Sequence, residues 1–174
     1  LLGGIAGMEV GKQNQFPIFP AVFGVIPFRH EFHRADIHLL ATIQQQIHVA
    51  SSYIAESSAS QAAAAKKPVY VLLSEVVNAI KNEDTEESVQ SAFESSFEVH
   101  GVDNAQFNTF SSNNNLVDAL QAIPSQAHMF IFGLYSTGLF SSFLDFMDAN
   151  AGVEVFLSFE EMMTHNEVID QRYP

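Results

Sequence analysis

Seven histidines, twenty carboxylates and no cysteine define the chemistry open to this chain. His30, Glu31, His33, Asp36 and His38 crowd one short stretch, and His48 follows. On a helix, His30 and His33 share a face, whereas His38 is displaced around the barrel and joins them only if the helix starts late. His30, His33 and His38 are therefore the weak metal-ligand candidates. Helical zinc sites favour His-Glu-x-x-His, which is absent, and Arg29 and Arg34 oppose a cation, so a solvated helix start is the plainer reading. No catalytic residue emerges elsewhere. Ser74 stands beside Glu75, and Ser91, Ser95 and Ser96 cluster, but no recognisable base frames them and the glycine-flanked nucleophile elbow is missing. Residues 6–12 imitate a phosphate loop yet fail it, with Ala6 where glycine is required and Gln13 where Ser or Thr must reach magnesium. No cofactor is expected.

The lack of cysteine rules out a disulfide, a thiolate nucleophile and a cysteine zinc site in this chain. Seven Lys and Arg against twenty Asp and Glu give a formal charge of −13, which repels a phosphate backbone and argues against nucleic acid. At 174 residues and 47% hydrophobic, the chain suits one domain over residues 1–174. No run approaches the roughly 18 to 20 apolar residues that cross a bilayer. The chain opens on Leu1 rather than methionine, so a processed or partial chain is expected.

Several elements must carry these residues. Residues 1–20 read as an irregular arm, glycine-rich at first, with a short strand near residues 5–10 and two prolines, Pro17 and Pro20, that forbid a helix interior. A buried strand is expected over residues 22–26, stopped by Pro27. Residues 29–65 are helical territory, with Ile37, Leu40, Ile43 and Ile47 on one face and Gln44, Gln45 and Gln46 elsewhere. Val69, Leu72, Leu73, Val76, Val77 and Ile80 predict a further helical face. An acidic helix presents Val89, Ala92, Phe93 and Phe97, and Gly101 fits the left-handed position after it. Asp103 is placed to cap a next helix carrying Phe107 and Phe110 inward, and a helical turn at residues 115–120 follows. The run from His128 to Phe132, closed by Gly133, predicts a buried strand. Residues 139–147 predict a short helix, residues 150–152 a turn and residues 153–157 a strand. Ser158 and Glu161 then have capping-box spacing at the start of a last helix.

The order Leu72-Leu73-x-x-Val76, Ser91-x-Phe93, Phe97-x-x-His100-Gly101-Val102-Asp103-x-x-x-Phe107-x-x-x-Ser111, Val117 and Met129-Phe130-Ile131-x-Gly133-x-Tyr135 resembles the DsbA-like branch of the thioredoxin superfamily. Leu157 to Met163 is similar to the start of that family's last helix. The resemblance covers residues 68–135 and 153–170, with residues 22–28 matching the strand before the insertion. It implies an α/β fold, a thioredoxin-like mixed sheet with a helical lobe inserted over residues 29–123. It also implies thiol-disulfide exchange at a Cys-x-x-Cys pair, peptide binding at a cis-proline loop and an extracytoplasmic location. The chain departs from the pattern, having no cysteine and Ala127 at the proline position. The expectation is thus a redox-inactive DsbA-like protein that binds polypeptide in a groove beside Ala127, His128 and Met129 or serves as a structural subunit. The alternative is a fragment or altered form of a thiol-disulfide oxidoreductase whose catalytic motif lies outside this chain.

Overall fold

The computed structural model describes residues 2–3, 19–20, 42–59, 66–81, 86–158, 161 and 164–172. Two short strands, β1 (Leu2–Gly3) and β2 (Phe19–Pro20), pair in parallel. The main sheet is built from β3 (Val69–Ser74), β4 (Gln106–Phe110), β5 (Ala127–Phe132) and β6 (Val153–Leu157). Its strand order is β4-β3-β5-β6 and every ladder is parallel.

β3 and β5 are buried at all six of their positions. Alternate side chains leave a strand on opposite faces, so a continuous apolar run is what a strand covered on both sides requires. Val69, Val71 and Leu73 join Phe130 and Phe132 in one core, while Tyr70 and Leu72 join Ala127, Met129 and Ile131 in the other. Helices α1 (Ile43–Ser58) and α3 (Val89–His100) cover the first face through Ile43, Ile47, Ile54, Ala92, Phe93 and Phe97. Helices α4 (Asn113–Gln121) and α5 (Thr137–Ala149) cover the second through Leu116, Leu120, Leu139, Phe140 and Phe143. The short helix α2 (Glu75–Asn78) follows β3 directly. The last helix, α6 (Asn166–Arg172), packs Val168 and Ile169 against the second core, and its Arg172 spans Asp145 and Asp148 of α5.

Local chemistry sets the helix ends. Thr42 and Gln45 form a reciprocal capping box at α1, and the side chains of Ser88, Ser112 and Ser136 each accept from a backbone N–H in the first turn of their helix. Gly101 takes φ +66° after α3, the left-handed conformation that glycine adopts without steric cost.

The α/β expectation holds, as do the helix with Val89, Ala92, Phe93 and Phe97 inward, the buried strand after Pro124 and the strand at residues 153–157. Other expectations are corrected. The sheet is parallel throughout its four strands, not the mixed sheet of a thioredoxin-like fold. Residues 29–123, expected as an inserted helical lobe, supply β3 and β4 to that sheet. Residues 69–74 are strand rather than helix: the three-to-four spacing of Val69, Leu72, Leu73 and Val76 arises because a strand of six buried residues runs straight into α2. Asp103 caps no helix, and Phe107 and Phe110 belong to the edge strand β4, where three of five residues are solvent-exposed. The strands expected at residues 5–10 and 22–26 lie outside the described residues.

Candidate functional site

The direction of winding reverses between β3 and β5. From β3 the chain crosses through α3 to β4 on one side, then returns through α4 to β5 on the other. In open parallel sheets such a reversal leaves a crevice beyond the carboxyl ends of the two strands, because their outgoing loops diverge to opposite faces. Here those ends are Ser74 and Phe132.

Ser74 ends β3 and starts α2 in one step. Its side-chain oxygen accepts from Val77 N–H at 3.2 Å, so this serine is a helix cap turned toward the crevice. Gly133 leaves β5 with φ +96°, and a Cβ there would lie 1.9 Å from Ser74 Oγ and 2.5 Å from Ser74 Cβ. Only glycine allows the two exits to pass each other. Glu161 holds the β5 exit from the other side. Its Oε1 accepts from Leu134 N–H at 2.8 Å and from Gly133 N–H, and its Oε2 accepts from Ser158 N–H at 3.4 Å. Ser158 Oγ in turn accepts from Glu161 N–H at 3.2 Å, the reciprocal pair that the spacing predicts. Burial pushes the Glu161 carboxyl above its ordinary range, against the pull of those backbone donors. His165 completes the brace. It donates from Nε2 to the Leu134 carbonyl at 2.5 Å, and its ring stacks on Phe140 with centroids 4.3 Å apart.

These groups enclose a cavity of about 300 Å³ whose walls include Ser74, Val76, Val77, Phe132, Tyr135 and His165. Val76 and Tyr135 are largely solvent-exposed, at 65% and 58%. The site combines an apolar wall, a few polar atoms and an open side, the usual makeup of a small-molecule pocket.

The residues singled out in the sequence fall elsewhere. Ala127, His128 and Met129 are buried in the first half of β5, at the opposite end of the strand from this cavity. His128 Nδ1 lies 3.0 Å from Glu154 Oε2, and Lys67 Nζ donates to Glu154 Oε1 at 2.8 Å. Burial pushes His128 below the ordinary histidine range, with Glu154 opposing, while Lys67 holds Glu154 below the usual carboxylate range. His30, His33 and His38 lie outside the described residues, and among those described no three potential ligands gather. The site residues had partial signals: Gly133 ends an apolar run, and Ser158 and Glu161 share capping-box spacing. Nothing local marked Leu134 or His165.

The chain matches the family model described as adenylate cyclase, periplasmic binding protein-like domain, over residues 13–171. That match overturns the expected kinship with the DsbA-like branch. With it go the redox-inactive DsbA-like reading, the thiol-disulfide alternative and the disulfide-oxidoreductase label. Among solved structures the chain is similar to an ABC-type branched-chain amino acid transporter from Rhodopseudomonas palustris, at 14% identity and a TM-score of 0.42. The likeness covers 87% of this chain and 39% of that one, so the chain spans well under half its length. No curated protein matches.

Proposed function

We propose, because the chain belongs to the periplasmic binding protein-like domain family of adenylate cyclases, that it recognises a small molecule in the crevice at the carboxyl ends of β3 and β5. The observation that carries the reading is the cavity beside Ser74 and Gly133, at the one place where strand order reverses among the described residues. About 300 Å³ sits at the lower end of the range for ligand pockets. With Val76, Val77 and Phe132 giving apolar lining and Ser74 and His165 polar groups, the cavity suits a compact, largely apolar ligand with one or two hydrogen-bonding groups. The braced exit of β5 keeps the polar atoms in place before the ligand arrives, which limits the ordering cost of binding.

The family's name supports an extracytoplasmic site of action, where such a domain would meet an external signal. No helix among the described residues is long and apolar enough to cross a membrane.

A thermal-shift screen of small metabolites against the purified chain tests the reading, with Val76→Trp as the control. Val76 is exposed, so the substitution is expected to leave the melting temperature within about 2 °C, since surface changes rarely exceed 0.5 kcal/mol. It should abolish the shift produced by any true ligand. A ligand that stabilises the wild-type chain and the variant equally would place binding elsewhere.

A further inference from the structure

His48 on α1 and His100, the last residue of α3, meet across the gap between two helices on the solvent side of the first face. His100 Nε2 lies 3.1 Å from His48 Nδ1, with ring centroids 4.5 Å apart and ring planes inclined by 56°. A hydrogen bond joins them, in which one ring nitrogen donates and the other accepts.

The same two atoms are spaced as a cation would hold them. With metal–nitrogen bonds of about 2.0–2.1 Å, two imidazole nitrogens stand about 2.9 Å apart at a right angle and about 3.4 Å apart at a tetrahedral angle. The observed separation falls between these limits. Each helix is fixed beneath its histidine by core residues, Ile47 and Ile54 on α1 and Phe93 and Phe97 on α3, so the two backbones are already in position. His48 is exposed and His100 half-buried at the end of its helix, so small ring rotations can turn both lone pairs toward a shared ion. The formal charge of −13 draws cations toward the chain as a whole.

We propose that His48 and His100 form a two-histidine clamp for a divalent transition cation that favours imidazole, such as Zn²⁺, Ni²⁺ or Cu²⁺. The ion replaces the shared hydrogen bond. The proton between the rings exchanges through water onto the far nitrogen of its own ring, so both imidazoles stay neutral and no net proton is lost. Water fills the remaining coordination positions. The ion bridges residues 52 positions apart and ties α1 to α3.

Calorimetric titration of the purified chain with NiCl2 and with ZnCl2 tests the clamp. One equivalent is expected to bind, with His48→Ala and His100→Ala each weakening affinity at least tenfold. A chain carrying His30→Ala, His33→Ala and His38→Ala should bind within twofold of wild type. Long-range imidazole ¹H–¹⁵N spectra of the wild-type chain should show two rings moving on Zn²⁺ addition, a readout independent of how the variants fold. No binding up to millimolar cation, unchanged affinity in the His48→Ala, His100→Ala double variant, or loss of binding in the triple variant would each overturn the proposal.

Discussion

Gly133 is the residue on which the crevice geometry turns. Its φ of +96° and the 1.9 Å at which an added Cβ would meet Ser74 Oγ leave no room for a side chain. Gly133→Ala combines backbone strain with an overlap against a strand end, and is expected to cost roughly 2–4 kcal/mol of unfolding free energy, measured by urea denaturation. Glu161 gives a second residue-level prediction, with a definite sign. Its carboxyl is raised in the folded chain, so folding favours the protonated form. The stability it contributes is full below the unfolded glutamate range and falls away as pH rises through the higher folded value. Wild type should therefore lose stability relative to Glu161→Gln as pH climbs from about 4.5, while His128 and Glu154 contribute equally to both chains and cancel. Urea midpoints across that range that instead favoured wild type at higher pH would refute the assignment. Part of this site could be read from residues alone, because a capping box is a local pattern and Ser158 and Glu161 carry it. His165 could not be read, since its partners, Leu134 and Phe140, are fixed only by tertiary packing.

At the scale of elements, α3 is the main support of the sheet's first face. Phe93 places its ring within 5.0 Å of the Phe130 ring, 5.7 Å of Phe132 and 5.6 Å of Phe97, measured between centroids. Phe93→Ala is expected to cost roughly 3–5 kcal/mol through lost burial and the cavity left behind, whereas Val99→Ser on the exposed face of the same helix should change stability by less than about 0.5 kcal/mol. Chemical denaturation of both variants checks the contrast. Helices with clear boundaries were the readable elements: Gly101 closes α3, and Val89, Ala92, Phe93 and Phe97 hold a strict 3.6-residue period. β5 was readable because a short apolar run between Pro124 and Gly133 leaves no room for a helix of normal length. β3 was misread because both faces are buried, so it carries no alternation, and the apolar residues of α2 extend its run into a false helical period. β4 was misread because it is an edge strand. Asn108 and Thr109 face solvent, and the three-residue gap between Phe107 and Phe110 looks helical.

For the whole molecule, strand order decides what can be proposed. Alternating helices and buried strands are common to many α/β folds, which is why the order of Phe97, Gly101, Phe107 and Met129 could resemble a thioredoxin-superfamily pattern while belonging to a different family. Whether a sheet is mixed or parallel, and where its order reverses, depends on pairings between distant strands and has no local signature. The crevice at residues 74 and 133 lies where that order reverses. Backbone ¹H–¹⁵N spectra of the labelled chain, recorded with a stabilising ligand from the thermal-shift screen, test the account most directly. The prediction is that the largest shifts fall on Ser74, Val76, Val77, Gly133 and Tyr135. Shifts confined to the amino ends of the strands, around Lys67, His128 and Glu154, would contradict it.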